Sequence, residues 1–138
     1  MNASIRIGKI LVVDDDKQVA DLVTEYLSSI GYDAVSAYGG SDALDLIQED
    51  EFHLIITDMR MPGMSGLELL ESVKAIDRRI IVILITAFST IDAAVKAIKE
   101  GAFDFISKPF DLDALKEIVD RAMEQYGKSG ASRIFRRH

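Results

Sequence analysis

Asp14 and Asp15 follow one short aliphatic run, Asp58 follows another, and Thr86 and Lys108-Pro109 end two more in the same way. Three carboxylates, a hydroxyl and an ammonium are materials for holding a phosphoryl group beside a hard cation. Carboxylates crowded together repel, so the arrangement is costly unless a cation sits among them. Ligands that are all oxygen, with neither His nor Cys, select a hard ion such as Mg2+, which keeps several waters and commonly bridges a protein carboxylate to a phosphoryl oxygen. Lys108 brings a second positive charge to the far side of such a group, and the Thr86 hydroxyl can donate a hydrogen bond to it. The remaining nucleophile is a carboxylate, and Asp58 forming an acyl phosphate is consistent with that chemistry.

These side chains meet only if the runs before them lie side by side. Lys9 to Val13, Asp33 to Ala37, Leu54 to Thr57, Ile80 to Ile85 and Ala102 to Ile106 read as strands. Short apolar stretches separated by helical segments are the pattern of buried parallel strands. Between them, apolar spacing predicts a helix after Asp16, closed by Gly31. A second runs from Ser41, a candidate N-cap, to about Asp50, with Ala43, Leu44 and Ile47 inward. A third follows the loop Pro62-Gly63 to Gly66, with Leu67, Leu70 and Val73 inward. Ser89-Thr90-Ile91-Asp92 resembles a capping box for a fourth helix through Lys99. Asp111 caps a fifth, whose apolar residues from Leu112 to Tyr126 keep the 3.6-residue period over four turns. The class is α/β: a (βα)5, doubly wound, flavodoxin-like arrangement whose five-stranded parallel sheet has the order 2-1-3-4-5. In that order the ligand crevice falls between strands 1 and 3, the two that end in aspartates.

A length of 138 residues fits one domain, and 49% hydrophobic with 28% charged residues is ordinary for a globular chain with a real core. The absence of cysteine excludes a disulfide framework and a thiolate metal site. Met1 to Lys9 lacks the apolar stretch of a signal peptide, and the longest apolar run falls far short of the roughly 20 residues that span a bilayer. A cytoplasmic location without membrane association is the expectation. Residues 1–126 hold 12 Lys/Arg against 23 Asp/Glu, a body that repels nucleic acid, whereas 127–138 add four basic residues and no acid. That last segment shows neither helical nor strand period and reads as a flexible basic tail or truncated linker.

Val-Val-Asp14-Asp15-Asp16, Thr57-Asp58-Met-Arg-Met-Pro62-Gly-Met-Ser-Gly66, Ile85-Thr86-Ala87 and Lys108-Pro109, taken together in order and spacing, resemble a two-component response-regulator receiver domain over residues 7 to about 126. The resemblance implies that Asp58 is the phosphoacceptor, supplied by the phosphohistidine of a sensor histidine kinase or phosphotransfer protein. It implies that Asp15, Asp58 and the Arg60 main-chain carbonyl bind Mg2+ directly, with Asp14 acting through water. Thr86 is then expected to turn inward to the phosphoryl oxygen, Lys108 to pair with it, and the Lys108-Pro109 bond to be cis. A switch would reach the surface through the aromatic at Phe105, where many relatives carry Tyr. Without a hydroxyl, that switch rests on apolar burial alone, worth about 1–3 kcal/mol.

Ala87 leaves room for the phosphoryl group in this family pattern, and Arg60 and Phe88 stand where phosphate lifetime is tuned. The stretch from Ala87 to Phe110 further resembles receivers attached to sigma-54 activators of the nitrogen-regulation kind, implying transcription regulation by a partner domain and no DNA contact by this one. The surface of the fourth helix, fifth strand and fifth helix is the implied homodimer face. Lys96, Lys99, Asp104, Asp113, Glu117 and Arg121 are candidates to pair across it.

Each residue also has a plainer reading. Asp14, Asp15 and Asp16 suit a solvated turn or a helix N-terminus, and Asp16 alone suits a helix cap. Thr86 suits an ordinary strand end, Lys108 a surface lysine and Pro109 a loop. His53 and His138 show no partner pattern and receive no role. A haloacid-dehalogenase-like phosphatase would need a second acid two residues after the nucleophile, where Arg60 stands. A flavodoxin would need a Ser/Thr/Gly-rich phosphate loop where this chain is acidic. A purely structural interaction module stays open if the pocket is vestigial; with a working pocket the expected activity is self-modification and not turnover of outside substrates.

Overall fold

The computed structural model describes residues 8–87 and 91–136, with 127–136 described by backbone only. Five strands, β1 (Lys9–Val13), β2 (Asp33–Ala37), β3 (Leu54–Asp58), β4 (Ile81–Ala87) and β5 (Asp104–Lys108), alternate with five helices. These are α1 (Lys17–Ser29), α2 (Gly40–Glu49), α3 (Gly66–Ile76), α4 (Ile91–Lys99) and α5 (Leu112–Arg136). All neighbouring strands pair parallel in the order β2-β1-β3-β4-β5, as predicted.

Both sheet faces are covered, which is why the strands read as aliphatic runs instead of alternating patterns. One face packs Ile10, Val12, Ile56, Ile83 and Ile85 against Leu27 of α1 and Leu115 and Val119 of α5. The other packs Leu11, Val13, Ile55, Val82 and Leu84 against α2, α3 and Ala97 of α4. Successive strand residues alternate between faces, so Asp14 and Asp58 continue the α1/α5 row while Thr57 and Thr86 continue the α2–α4 row.

Several boundaries differ from expectation. β3 and β5 extend into Asp58 and Lys108, and β4 into Thr86 and Ala87, because backbone pairing continues after the apolar run stops. β5 starts at Asp104 and not Ala102, since the Ala102 N–H is spent on Ala97 O while Gly101 N–H bonds Ile98 O. This is the paired closure of a helix through a left-handed glycine, here with φ 119° at Gly101. Ser41 is not the cap of α2: the helix starts at Gly40, its cap is Gly39, and the first helical bond runs from Ala43 N to Gly39 O. Gly40, the first residue of the helix, packs so tightly that a Cβ there would lie 2.7 Å from Met64 Sδ.

In α3, Leu69 is fully buried beside Leu70 and Val73, while Leu67 packs at the edge of the cluster. That helix carries a capping box: Ser65 accepts from Glu68 N–H and Glu68 accepts from Ser65 N–H. Asp16 caps α1, accepting from the N–H groups of Gln18 and Val19, and Asp111 accepts from Ala114 N–H at the start of α5. The box expected around Ser89 and Thr90 lies outside the described residues. α5 runs to Arg136, past the point where the sequence period ends; a helix already nucleated adds each further residue at little cost.

His53, given no role from sequence, joins the bottom of the sheet to α5. The N–H groups of Gly8 and Lys9 both donate to its Nδ1, at 3.2 and 3.1 Å, and its ring lies 4.9 Å from that of Tyr126. Burial first, and the Lys9 charge, hold its pKa below the ordinary 6.5 against the opposing pull of Glu51. A folded pKa below the unfolded one means that the stability from neutral His53 is complete above about 6.5 and is lost as pH falls through the folded value. Urea unfolding midpoints should therefore drop between about pH 7 and pH 5. His53→Gln should flatten that drop, and an equal drop in the variant would contradict it.

Candidate functional site

The site forms at the C-terminal edge of β1, β3, β4 and β5. Asp14 and Asp58 are buried and Asp15 is exposed, and one carboxylate oxygen from each lies within 4.8 Å of the others. Lys108, the last residue of β5, places its Nζ 3.0 Å from Asp58 Oδ1. Its bond to Pro109 is cis. Burial pulls the Lys108 pKa down, but the hydrogen bond and charge of Asp58, with the charges of Asp14 and Asp15, outweigh it and hold the ammonium above its ordinary range. Lys108 is therefore a standing cation aimed at the acidic cluster.

Asp14 shows the cost of that cluster. Its Oδ1 accepts from Asp16 N–H at 2.9 Å, while its buried Oδ2 has no partner among the described residues. Burial first, then the charges of Asp58 and Asp15, raise its pKa against the Asp16 N–H and Lys108. A buried, unpartnered carboxylate oxygen in an all-oxygen cluster fits a hard divalent ion, so the residues present suit Mg2+. A raised folded pKa means that ionised Asp14 destabilises the fold at neutral pH; the associated stability is present below 3.8 and is lost as pH rises through the folded value. In chelator, Asp14→Asn should thus unfold at a higher temperature than the wild type, because the neutral amide removes a buried charge that its acidic neighbours repel. Adding Mg2+ should stabilise the wild type more than the variant. Thermal unfolding in both conditions checks this, and a variant less stable in chelator would contradict it.

Thr86 is fully buried and its Oγ1 donates to Ala87 O at 3.1 Å. It sits at the strand end on the α2–α4 face, so reaching the Asp58 side requires its hydroxyl to turn over the sheet edge. Phe105 lies two residues from Ser107, the register partner of Thr86, and packs half-buried against the same cluster. Arg60 is exposed on the loop after β3, Ala87 is exposed at the end of β4, and Phe88 lies outside the described residues. Of the charges proposed to pair between copies, Arg121 and Asp104 pair within the chain, at 3.3 Å.

Two residues that support Asp58 stand in the motif around it but carry no role in the sequence reading. A Cβ on Gly66 would lie 2.5 Å from Asp58 O, so only glycine lets α3 begin there. Thr57 is fully buried and donates its hydroxyl to the same carbonyl. The visible signal for Thr57 is a hydroxyl inside an otherwise aliphatic strand.

A family model described as the response regulator receiver domain matches residues 10–120. The transcriptional regulatory protein ZraR of Salmonella typhimurium is 39% identical over 122 residues, covering 88% of this chain and 28% of that protein. The DNA-binding transcriptional regulator NtrC of Escherichia coli is 37% identical over 119 residues, covering 86% of this chain and 25% of its own length. The crystal structure of the receiver domain of NtrX from Brucella abortus aligns with a TM-score of 0.80 at 38% identity, covering 83% of this chain and 98% of that one. The chain thus spans only about a quarter of the curated relatives it matches.

Proposed function

The chain belongs to the response-regulator receiver family, and from that premise we propose that it accepts a phosphoryl group on Asp58 from the phosphohistidine of a sensor histidine kinase or phosphotransfer protein. The observation that carries this reading is the Lys108–Asp58 ion pair set beside the carboxylates of Asp14 and Asp15. An Asp58 oxygen attacks phosphorus in line, the P–N bond breaks with its electron pair left on the imidazole nitrogen, and an acyl phosphate forms. Lys108 moves from the carboxylate to a phosphoryl oxygen, and Thr86 exchanges the Ala87 carbonyl for another. Asp15, Asp58 and the Arg60 main-chain carbonyl would hold Mg2+, with Asp14 acting through water; the ion supplies neutralising charge for the transferred group. Hydrolysis of the acyl phosphate resets the module, which acts only on itself.

The Thr86 movement vacates space beside Phe105, and burial of that ring is the proposed link to the α4-β5-α5 face. Val95 and Ile98 of α4 are 46% and 38% exposed, apolar material suited to a homodimer contact there. Beside Lys108, a groove lined by Val19, Leu22, Pro109 and Phe110 opens next to the acceptor, where a phosphohistidine-bearing helix would approach. On this reading residues 1–126 are the receiver and 127–138 a basic tail or linker. The output is transcription regulation of the nitrogen-regulation, sigma-54 activator type, with DNA contacted elsewhere than on this domain. Among the described residues no helix is long and apolar enough to cross a membrane. Incubation with acetyl phosphate and Mg2+ should add one phosphate per chain that alkali and hydroxylamine release, as they do from an acyl phosphate, and no uptake would defeat the proposal.

A further inference from the structure

We infer that Thr57 is a positioning residue for phosphoryl acceptance, its hydroxyl holding the main chain behind the Asp58 carboxylate. The inference rests on Asp58 being the acceptor. Thr57 lies fully buried on the α2–α4 face, between its register partners Val13 of β1 and Leu84 of β4. Valine has nearly the same shape and would suit these neighbours, whereas a buried hydroxyl costs stability unless bonded. Here the hydroxyl is bonded: Thr57 Oγ1 donates to Asp58 O at 3.0 Å.

The other side of that peptide is held as well. Met59 N–H donates to Ile85 O at 2.9 Å, so both polar atoms of the Asp58–Met59 peptide are engaged. Gly66 N–H donates to Met59 O at 2.9 Å, and the missing Cβ of Gly66 lets its backbone close over Asp58 O and Met59 Cα. Thr57 thus grips the carbonyl from the face opposite the Asp58 side chain, while Gly66 covers it. The nucleophile's rotation about its own backbone is restricted from behind, and the loop leading to Arg60 starts from a fixed peptide plane. In-line attack is sensitive to such placement, since a displacement of about 1 Å can cost on the order of a hundredfold in rate.

The test compares Thr57→Val, Thr57→Ala and Thr57→Ser with the wild-type chain, using acetyl phosphate at a series of concentrations with Mg2+, alongside urea unfolding. Thr57→Val and Thr57→Ala should lower the saturating rate by about tenfold while leaving the half-saturating donor concentration unchanged. The valine variant should unfold at a urea concentration no lower than wild type. Thr57→Ser should recover the rate to within about twofold. Wild-type saturating rates in both hydroxyl-free variants, with Asp58 carrying the phosphate, would overturn the inference and leave the acceptor assignment standing. A serine variant as slow as the valine one would also overturn it, because bulk and not the hydroxyl would then decide. Absence of phosphate on Asp58 in the wild type would remove both together.

Discussion

Asp58→Asn should abolish covalent phosphate uptake from acetyl phosphate, a loss on the order of a thousandfold or more, the scale of deleting a nucleophile. A carboxamide oxygen carries no negative charge and cannot yield an acyl phosphate, while the shape of the site is retained. The fold should survive for two opposing reasons. One repelling carboxylate is neutralised beside Asp14 and Asp15, which relieves the charge repulsion on Asp14. Lys108 loses its partner, but its ammonium is exposed enough to turn into solvent and is not left buried without a counter-charge. The urea midpoint should therefore stay near wild type, separating lost chemistry from lost structure. Labelled phosphate retained at the wild-type rate in a folded variant would contradict the assignment.

Lys108→Ala should have the second largest effect, and in two parts. Uptake should slow by roughly a hundredfold, as expected for removing one preorganised charge from the transferred group. The acyl phosphate should nevertheless form, because Asp58 and the acidic cluster remain. The second part concerns transmission. Lys108 closes β5, the strand that carries Phe105, and Ala87 of β4 is its register partner. Without the ammonium to draw the end of β5 toward the phosphoryl group, amide exchange in β5 and α4 should no longer respond to phosphorylation as it does in the wild type. The same exchange change in the phosphorylated variant would show that Lys108 serves acceptance alone.

Much of this arrangement was readable from residues because the chemistry sits at chain positions that announce themselves. Acids, a hydroxyl and a lysine following aliphatic runs define one sheet edge, and the acidic loop after β1 distinguishes this chain from a flavodoxin with the same strand order. The haloacid-dehalogenase alternative failed at Arg60 on sequence, and the receiver family match agrees with its exclusion. Strand ends were read short because an apolar-run criterion stops at the first polar side chain, whereas backbone pairing carries β3 through Asp58 and β5 through Lys108. Ala102 was read into β5 because its side chain suits a strand, while its N–H is committed to closing α4. The pairing of Asp104 with Arg121 inside the chain joins β5 to α5 across 17 positions, a contact no local pattern reports.

The roles of Thr57 and Gly66 are hidden for a different reason. Each looks ordinary in its own segment: a threonine at a strand end, a glycine after a turn. Their meaning lies in one carbonyl that both approach from different elements, and convergence of that kind exists only in three dimensions. Gly40 against Met64 is a third case, a close contact between the first turn of α2 and the loop before α3 that neither segment shows by itself.

The most direct test of the central claim uses the chemistry of the proposed intermediate. An acyl phosphate is a mixed anhydride that borohydride reduces to an alcohol, whereas free carboxylates and phosphate esters of serine or threonine resist it. After incubation with acetyl phosphate and Mg2+, borohydride treatment and peptide mapping should find homoserine in place of Asp58 and aspartate intact at Asp14 and Asp15. Homoserine at another aspartate, or none anywhere in a chain that has taken up phosphate, would contradict the account.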